Sequence, residues 1–240
     1  MGRPPVSQMH VTRASLALLG RLRGPMLAAL LAVTIGTNLI DFATAPAAGQ
    51  RPDMAFALAA LLRVALVFWI SFVVQRRIVD PRGGFRIGPD FWRFSLLQIL
   101  LLIGMIAVRA ATLKVTPPAP ALAGEWLANF IGLAAWGLIA IRLLAWNAAL
   151  AAGAPLGDLG HLWRNLRGHD VSLLGAFAIL VLPFAALHVA FTLISVRVEI
   201  PRGPLAFLGI VDGLVSALQL ALSCAVAAVA LRLATGGEAR

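Results

Sequence analysis

Six stretches of this chain are long and apolar enough to cross a hydrocarbon core, which takes about 20 such residues. They run from Met26 to Ala45, Met54 to Val74, Phe94 to Leu113, Ala128 to Leu150, Val171 to Ser195 and Leu205 to Leu231. Inside lipid every backbone N–H and C=O must be satisfied within the segment, so each stretch is expected to be a helix. The expected fold class is all-α: a polytopic membrane protein of six transmembrane helices preceded by an N-terminal interfacial amphipathic helix. This divides the chain into a cytoplasmic interfacial helix (1–25), the six-helix bundle (26–231) and a short cytoplasmic tail (232–240). With 60% hydrophobic and 12% charged residues among 240, too little polar surface exists to cover a water-facing domain. Any chemistry is therefore expected in or on the bundle.

The net charge of +10 acquires its meaning from position. Thirteen arginines fall before the first span, between spans two and three, between spans four and five, and after span six. The opposite loops hold four cations: Arg51, Lys114, Arg197 and Arg202. That bias predicts both termini on the cytoplasmic side, and an even number of spans requires them to share a side. No basic stripe with interleaved aromatics occurs away from the membrane flanks, so nucleic acid is not an expected partner. Arg is used almost to the exclusion of Lys and Tyr is missing. This resembles a high-GC bacterial composition and points to an inner membrane. The first span is read as a retained anchor, with cleavage after Ala43-Thr44-Ala45 as the rival. Cys224 is the only cysteine, which excludes an intrachain disulfide and a thiol-based metal site.

Polar residues inside the spans fall at helical spacing. Residues 6–24 alternate Val11, Leu18, Leu19 and Leu22 with Arg13, Arg21 and Arg23, the pattern of a helix lying on an anionic leaflet. Span one carries Thr34, Thr37, Asn38 and Asp41 on one face. Span two carries Arg63 near its middle, and span three has Ser95, Gln98, Arg109 and Thr112. Arg142 in span four is close enough to the cytoplasmic boundary to snorkel. Pro183 breaks the hydrogen-bond ladder of span five, with His188, Thr192 and Ser195 beyond it. Span six bears the clearest stripe: Asp212, Ser216, Gln219 and Ser223 lie within roughly 60° of one another on a helix. On the same span, Gly209 and Gly213 form a small-xxx-small pair suited to close helix contact.

Motifs that carry chemistry are missing. The glycines of Asp80-Pro81-Arg82-Gly83-Gly84 have no Gly-Lys-Ser/Thr after them, so a phosphate loop is excluded. Asp212-Gly213 lacks the further aspartates that two-metal phosphatidyl transfer needs. His10, His161, His169 and His188 are too dispersed for a metal motif. No catalytic, cofactor-binding or metal-binding residue is expected. Read by depth, Asp41, Arg109, His188 and Asp212 fall within roughly 10 Å of the outer boundary on four different spans. They form a candidate buried polar cluster in which opposite charges neutralise one another. Arg63 is the candidate central charge and Pro183 the candidate hinge.

The basic helix entering span one, the run Leu159-Gly160-His161-Leu162-Trp163-Arg164-Asn165-Leu166-Arg167-Gly168 and the small-residue end Cys224 to Leu233 together resemble a bacterial membrane family. It is the six-span membrane domain found with glycerophosphoryl diester phosphodiesterases and related inner-membrane proteins of unassigned role. The resemblance implies the six-span fold and carries no catalytic residue, because the phosphodiesterase activity lies in a separate soluble domain. Trp92-Arg93 and Trp163-Arg164 each enter a span after a basic turn, which leaves an internal hairpin duplication open. The expected role is a non-enzymatic, multi-pass inner-membrane protein engaging membrane lipids, anionic at the cytoplasmic face, or a protein partner of unknown identity. The alternative is a small-solute or ion transporter using the outer polar cluster.

Overall fold

A computed structural model describes residues 6–44, 53–81, 87–115, 122–198 and 200–237, and within them the chain is helical with no strand. Ten α-helices follow one another: α1 (Gln8–Leu19), α2 (Gly24–Thr44), α3 (Met54–Val79), α4 (Pro89–Val115), α5 (Leu122–Ala140), α6 (Leu144–Ala151), α7 (Leu159–Asn165), α8 (Asp170–Leu180), α9 (Leu182–Arg197) and α10 (Arg202–Ala234). Most of the Pro- and Gly-bearing outer loop after span one, Gly83-Gly84, Pro117, Pro118, Pro120, Glu199 and the last three residues of the tail lie outside the described residues. Helix starts follow capping chemistry. Ser7 accepts the His10 amide at 3.3 Å at the head of α1, and Asp53 accepts the Phe56 amide at 2.8 Å at the head of α3.

Helices α2, α3, α4 and α10 are each long and apolar enough to cross a membrane. The α5–α6 and α8–α9 pairs are bent by 53° and 45°; if each pair is one span, the number rises to six. The second bend sits where Pro183 enters α9, the ladder being interrupted at Val181. Nothing in the sequence marks the first bend. It falls at a 3-10 turn over Ile141–Leu143 that contains Arg142 and no proline.

Helix α10 is the axis of the bundle. Of its apolar window 61% is buried, against 11–28% for α2, α3 and α4. Residues Ala225 to Ala230 are all buried, because a run of small side chains lets neighbouring helices close in on every side. Gly213 lies against Ile35 of α2: a Cβ there would stand 2.5 Å from the Ile35 Cα. Large apolar side chains such as Leu58, Leu61, Leu100 and Ile103 remain exposed on α3 and α4, as on a surface meeting lipid.

Helix α1 does something its amphipathic pattern does not reveal. Its apolar face, with Val11 at 0% and Leu18 at 3% exposure, is buried against α8 and α10, so this face meets protein. Ser172 donates to the Val6 carbonyl and the Gln8 side chain lies over Gly175, at the first turn and the middle of α8. Arg21, just past the C-terminal end of α1, donates to the Ile78 carbonyl at 2.8 Å and fastens that end to α3. An amphipathic stripe specifies that one face avoids water; only packing decides whether lipid or protein covers it.

Candidate functional site

The polar faces of α2, α3, α9 and α10 converge in the half of the bundle away from α1. Asp41 on α2 pairs with Arg63 on α3. On α10 the Asp212 side chain is fully buried, and its Oδ1 meets His188 Nδ1 of α9 at 2.8 Å. Ser216, one turn further along α10, lies 3.3 Å from the same ring nitrogen. Asn38 then closes the group, its amide 3.4 Å from Ser216 Oγ while also donating to the Thr34 carbonyl at 2.8 Å. Helical spacing is what aligns these groups: Asn38 and Asp41 on α2, and Asp212 and Ser216 on α10, are three or four residues apart.

Three of the four residues assigned to the polar cluster, Asp41, His188 and Asp212, lie on the helices that converge here. Arg109 does not join them. It is exposed on α4, next to Gly132 of α5, and α4 packs on α5 and α6. Arg63, expected as a separate central charge, supplies the cation and lies within Coulombic reach of Asp212 as well. Depth alone could not distinguish two arginines on adjacent spans, because the rotation of each helix decides which one faces inward. Pro183 is exposed at the break between α8 and α9, under two turns from His188.

The arrangement is not a nucleophilic triad. Ser216 and Asp212 both approach Nδ1 of His188, whereas a relay needs the hydroxyl and the carboxylate on opposite ring nitrogens. Among the described residues, no group of three or more His, Cys, Asp or Glu side chains is placed to hold a metal ion. Asp212 Oδ2 is buried with no hydrogen-bond partner. That is a costly state for an oxygen at this depth.

A second polar assembly secures the other end. Arg142 makes a forked pair with Asp170, Nε to Oδ1 and Nη2 to Oδ2 both at 2.6 Å, and its guanidinium lies 5.3 Å from the Trp163 ring. The expected snorkelling of Arg142 is replaced by this bidentate contact, which ties the bend after α5 to the start of α8. Asp170 was the missed partner. Its position in the first turn of α8 was readable, but not its distance from Arg142. Beside this assembly, Arg164, Arg167, His169 and the last turn of α10 line a cavity of about 540 Å³.

Helices long and apolar enough to span a membrane, packed into a bundle around α10, define a multi-pass helical membrane protein. Compared with protein-family models, curated proteins and solved structures, the chain matches none of them.

Proposed function

We propose that this chain is a non-enzymatic, six-span inner-membrane protein with both termini in the cytoplasm, akin to the membrane domains that accompany glycerophosphoryl diester phosphodiesterases, and that its basic end engages anionic lipid headgroups. The observation that carries this reading is the crowding of arginines at one end. Arg13 and Arg21 near α1, Arg76 and Arg77 at the end of α3, Arg164 and Arg167 around α7, and Arg232 at the end of α10 come from segments far apart in the chain. Asn165 of α7 donates to the Ala234 carbonyl at 2.8 Å, which holds the last two sets side by side around the 540 Å³ cavity. Each arginine near an anionic surface contributes about 1 kcal/mol, so several acting together give a selective and salt-sensitive association.

In nanodiscs, phosphatidylglycerol should raise the melting temperature of the protein above its value in phosphatidylcholine. The difference should shrink in high salt and fall by roughly 30% in an Arg164→Gln, Arg167→Gln double variant, in proportion to the charge removed. Equal melting temperatures in the two lipids would refute lipid selectivity.

A transporter is the second reading, favoured by one observation: the unpartnered Asp212 Oδ2 beside a bent span. An ion or solute passing along α9 would find an acceptor there. Flux through proteoliposomes that Asp212→Asn abolishes would establish transport. Absence of flux, with a melting temperature lowered by the same substitution, assigns Asp212 to packing and charge compensation.

A further inference from the structure

The stripe on α10 divides between two places. Asp212 and Ser216 face the charged group described above, while Gln219 and Ser223 line a separate cavity of about 300 Å³. Its walls come from α3, α4, α5, α6, α8 and α10, and it lies beside the unpredicted bend that follows α5. Gln219 is 17 residues from the start of α10 and 15 from its end, so the cavity sits near the middle of a helix roughly 50 Å long.

Among the described residues, no charged side chain lines this cavity; its polar groups are Gln98, Asn147, Gln219 and Ser223, set among apolar walls that include Trp136 and Phe177. Their hydrogen-bonding capacity is only partly used. Gln98 donates to Asn147 Oδ1 at 2.9 Å, which leaves an amide donor on Asn147 and a carbonyl acceptor on Gln98. Exchanging the two amide orientations leaves the same capacity on the opposite partners. Ser223 spends its proton on the Gln219 backbone carbonyl at 2.7 Å. Among the described residues, nothing meets the Gln219 side-chain amide, although a neutral amide at mid-membrane depth has strong reason to find a partner.

We propose that this cavity binds an uncharged, lipid-soluble molecule whose carbonyl or hydroxyl head is held by Gln219 and the free amide groups of Gln98 and Asn147. Neutral amides offer both donors and acceptors with no net charge, so they match an oxygen-bearing head and discriminate against a phosphate or ammonium. The apolar walls take a short or folded hydrocarbon body, which would reach this depth from the bilayer. A quinone, which has carbonyls and no hydroxyl, and a diacylglycerol, which has a hydroxyl and ester carbonyls, represent the two sources of this head chemistry.

The test uses the full chain in detergent with decylubiquinone, dioctanoylglycerol and dodecane as probes, reading melting temperature against probe concentration. One or both oxygen-bearing probes should produce a saturable rise, dodecane should not, and the responding probe identifies the head. Gln219→Leu should melt higher than the parent without probe, because it removes an unpartnered amide, and should weaken the probe response at least tenfold. If Gln219 were only structural, the leucine variant would melt lower and keep the response. A diazirine-bearing long-chain alcohol should label the chain around Trp136, a readout that needs no variant. The proposal fails if no probe gives a saturable rise, if dodecane matches the others, if Gln219→Leu responds as the parent does, or if labelling falls elsewhere.

Discussion

Replacing Arg63 with methionine should destabilise the bundle by about 3 kcal/mol, the cost of leaving a largely buried carboxylate without its cation. Asp41 has only 13% of its side chain exposed and pairs with Arg63, while Asp212 is fully buried within Coulombic reach of the same guanidinium. Methionine keeps much of the apolar stem, so the effect reports charge more than volume. The double variant Asp41→Leu, Arg63→Met should recover most of the loss, since removing both charges also removes the desolvation each one suffers. Thermal unfolding followed by tryptophan fluorescence would measure both variants. Additive losses in the double variant would show that the two side chains do not act as a pair. The same measurement on Arg109→Met should show little change, because that side chain is exposed on α4.

Among the described glycines, Gly213→Ala should be the most damaging substitution, costing about 3 kcal/mol, at the top of the range for overpacking. The new Cβ would stand 2.5 Å from Ile35 Cα and 2.9 Å from Ile35 N, so the whole of α2 must move to admit it. Helix propensity acts in the opposite direction, favouring alanine by up to about 1 kcal/mol, and cannot compensate. Two controls make the claim specific. Gly209→Ala meets the movable ends of Leu39 and Phe42 at 3.1 and 3.2 Å and should cost much less; Gly36→Ala meets nothing within 4 Å and should be neutral or stabilising. Equal melting temperatures for all three variants would overturn the close α2–α10 contact. Gly213→Leu, with a larger side chain at the same backbone collision, should prevent the bundle from closing.

Much of the candidate site was legible because helical periodicity is a strong local signal. Asn38 and Asp41 were placed on one face of α2, and Asp212, Ser216, Gln219 and Ser223 on one face of α10, from spacing alone. Partner choice was not legible. Arg63 rather than Arg109 meets Asp41, and Asp170 meets Arg142, because an ion pair depends on the rotation and tilt of two helices that are far apart in sequence. Gln98, one of the polar residues of span three, lines the same cavity as Gln219 and Ser223. Its hydrogen bond to Asn147 had no signal, since Asn147 is a single amide in the short apolar helix α6 with nothing nearby to mark the helix it faces.

The sequence by itself determined that the chain is helical, that it has helices able to cross a membrane, and which residues share a helical face. These follow from hydropathy and a 3.6-residue period, both local properties. Tertiary structure alone decided that α1 lays its apolar face on protein, that the α5–α6 segment bends without a proline, and that one stripe on α10 serves two different polar sites. Each of these depends on what lies opposite a given face. That is set by helix-to-helix packing, in which a glycine such as Gly213 fixes the approach of two helices and thereby the partners of every polar residue they carry.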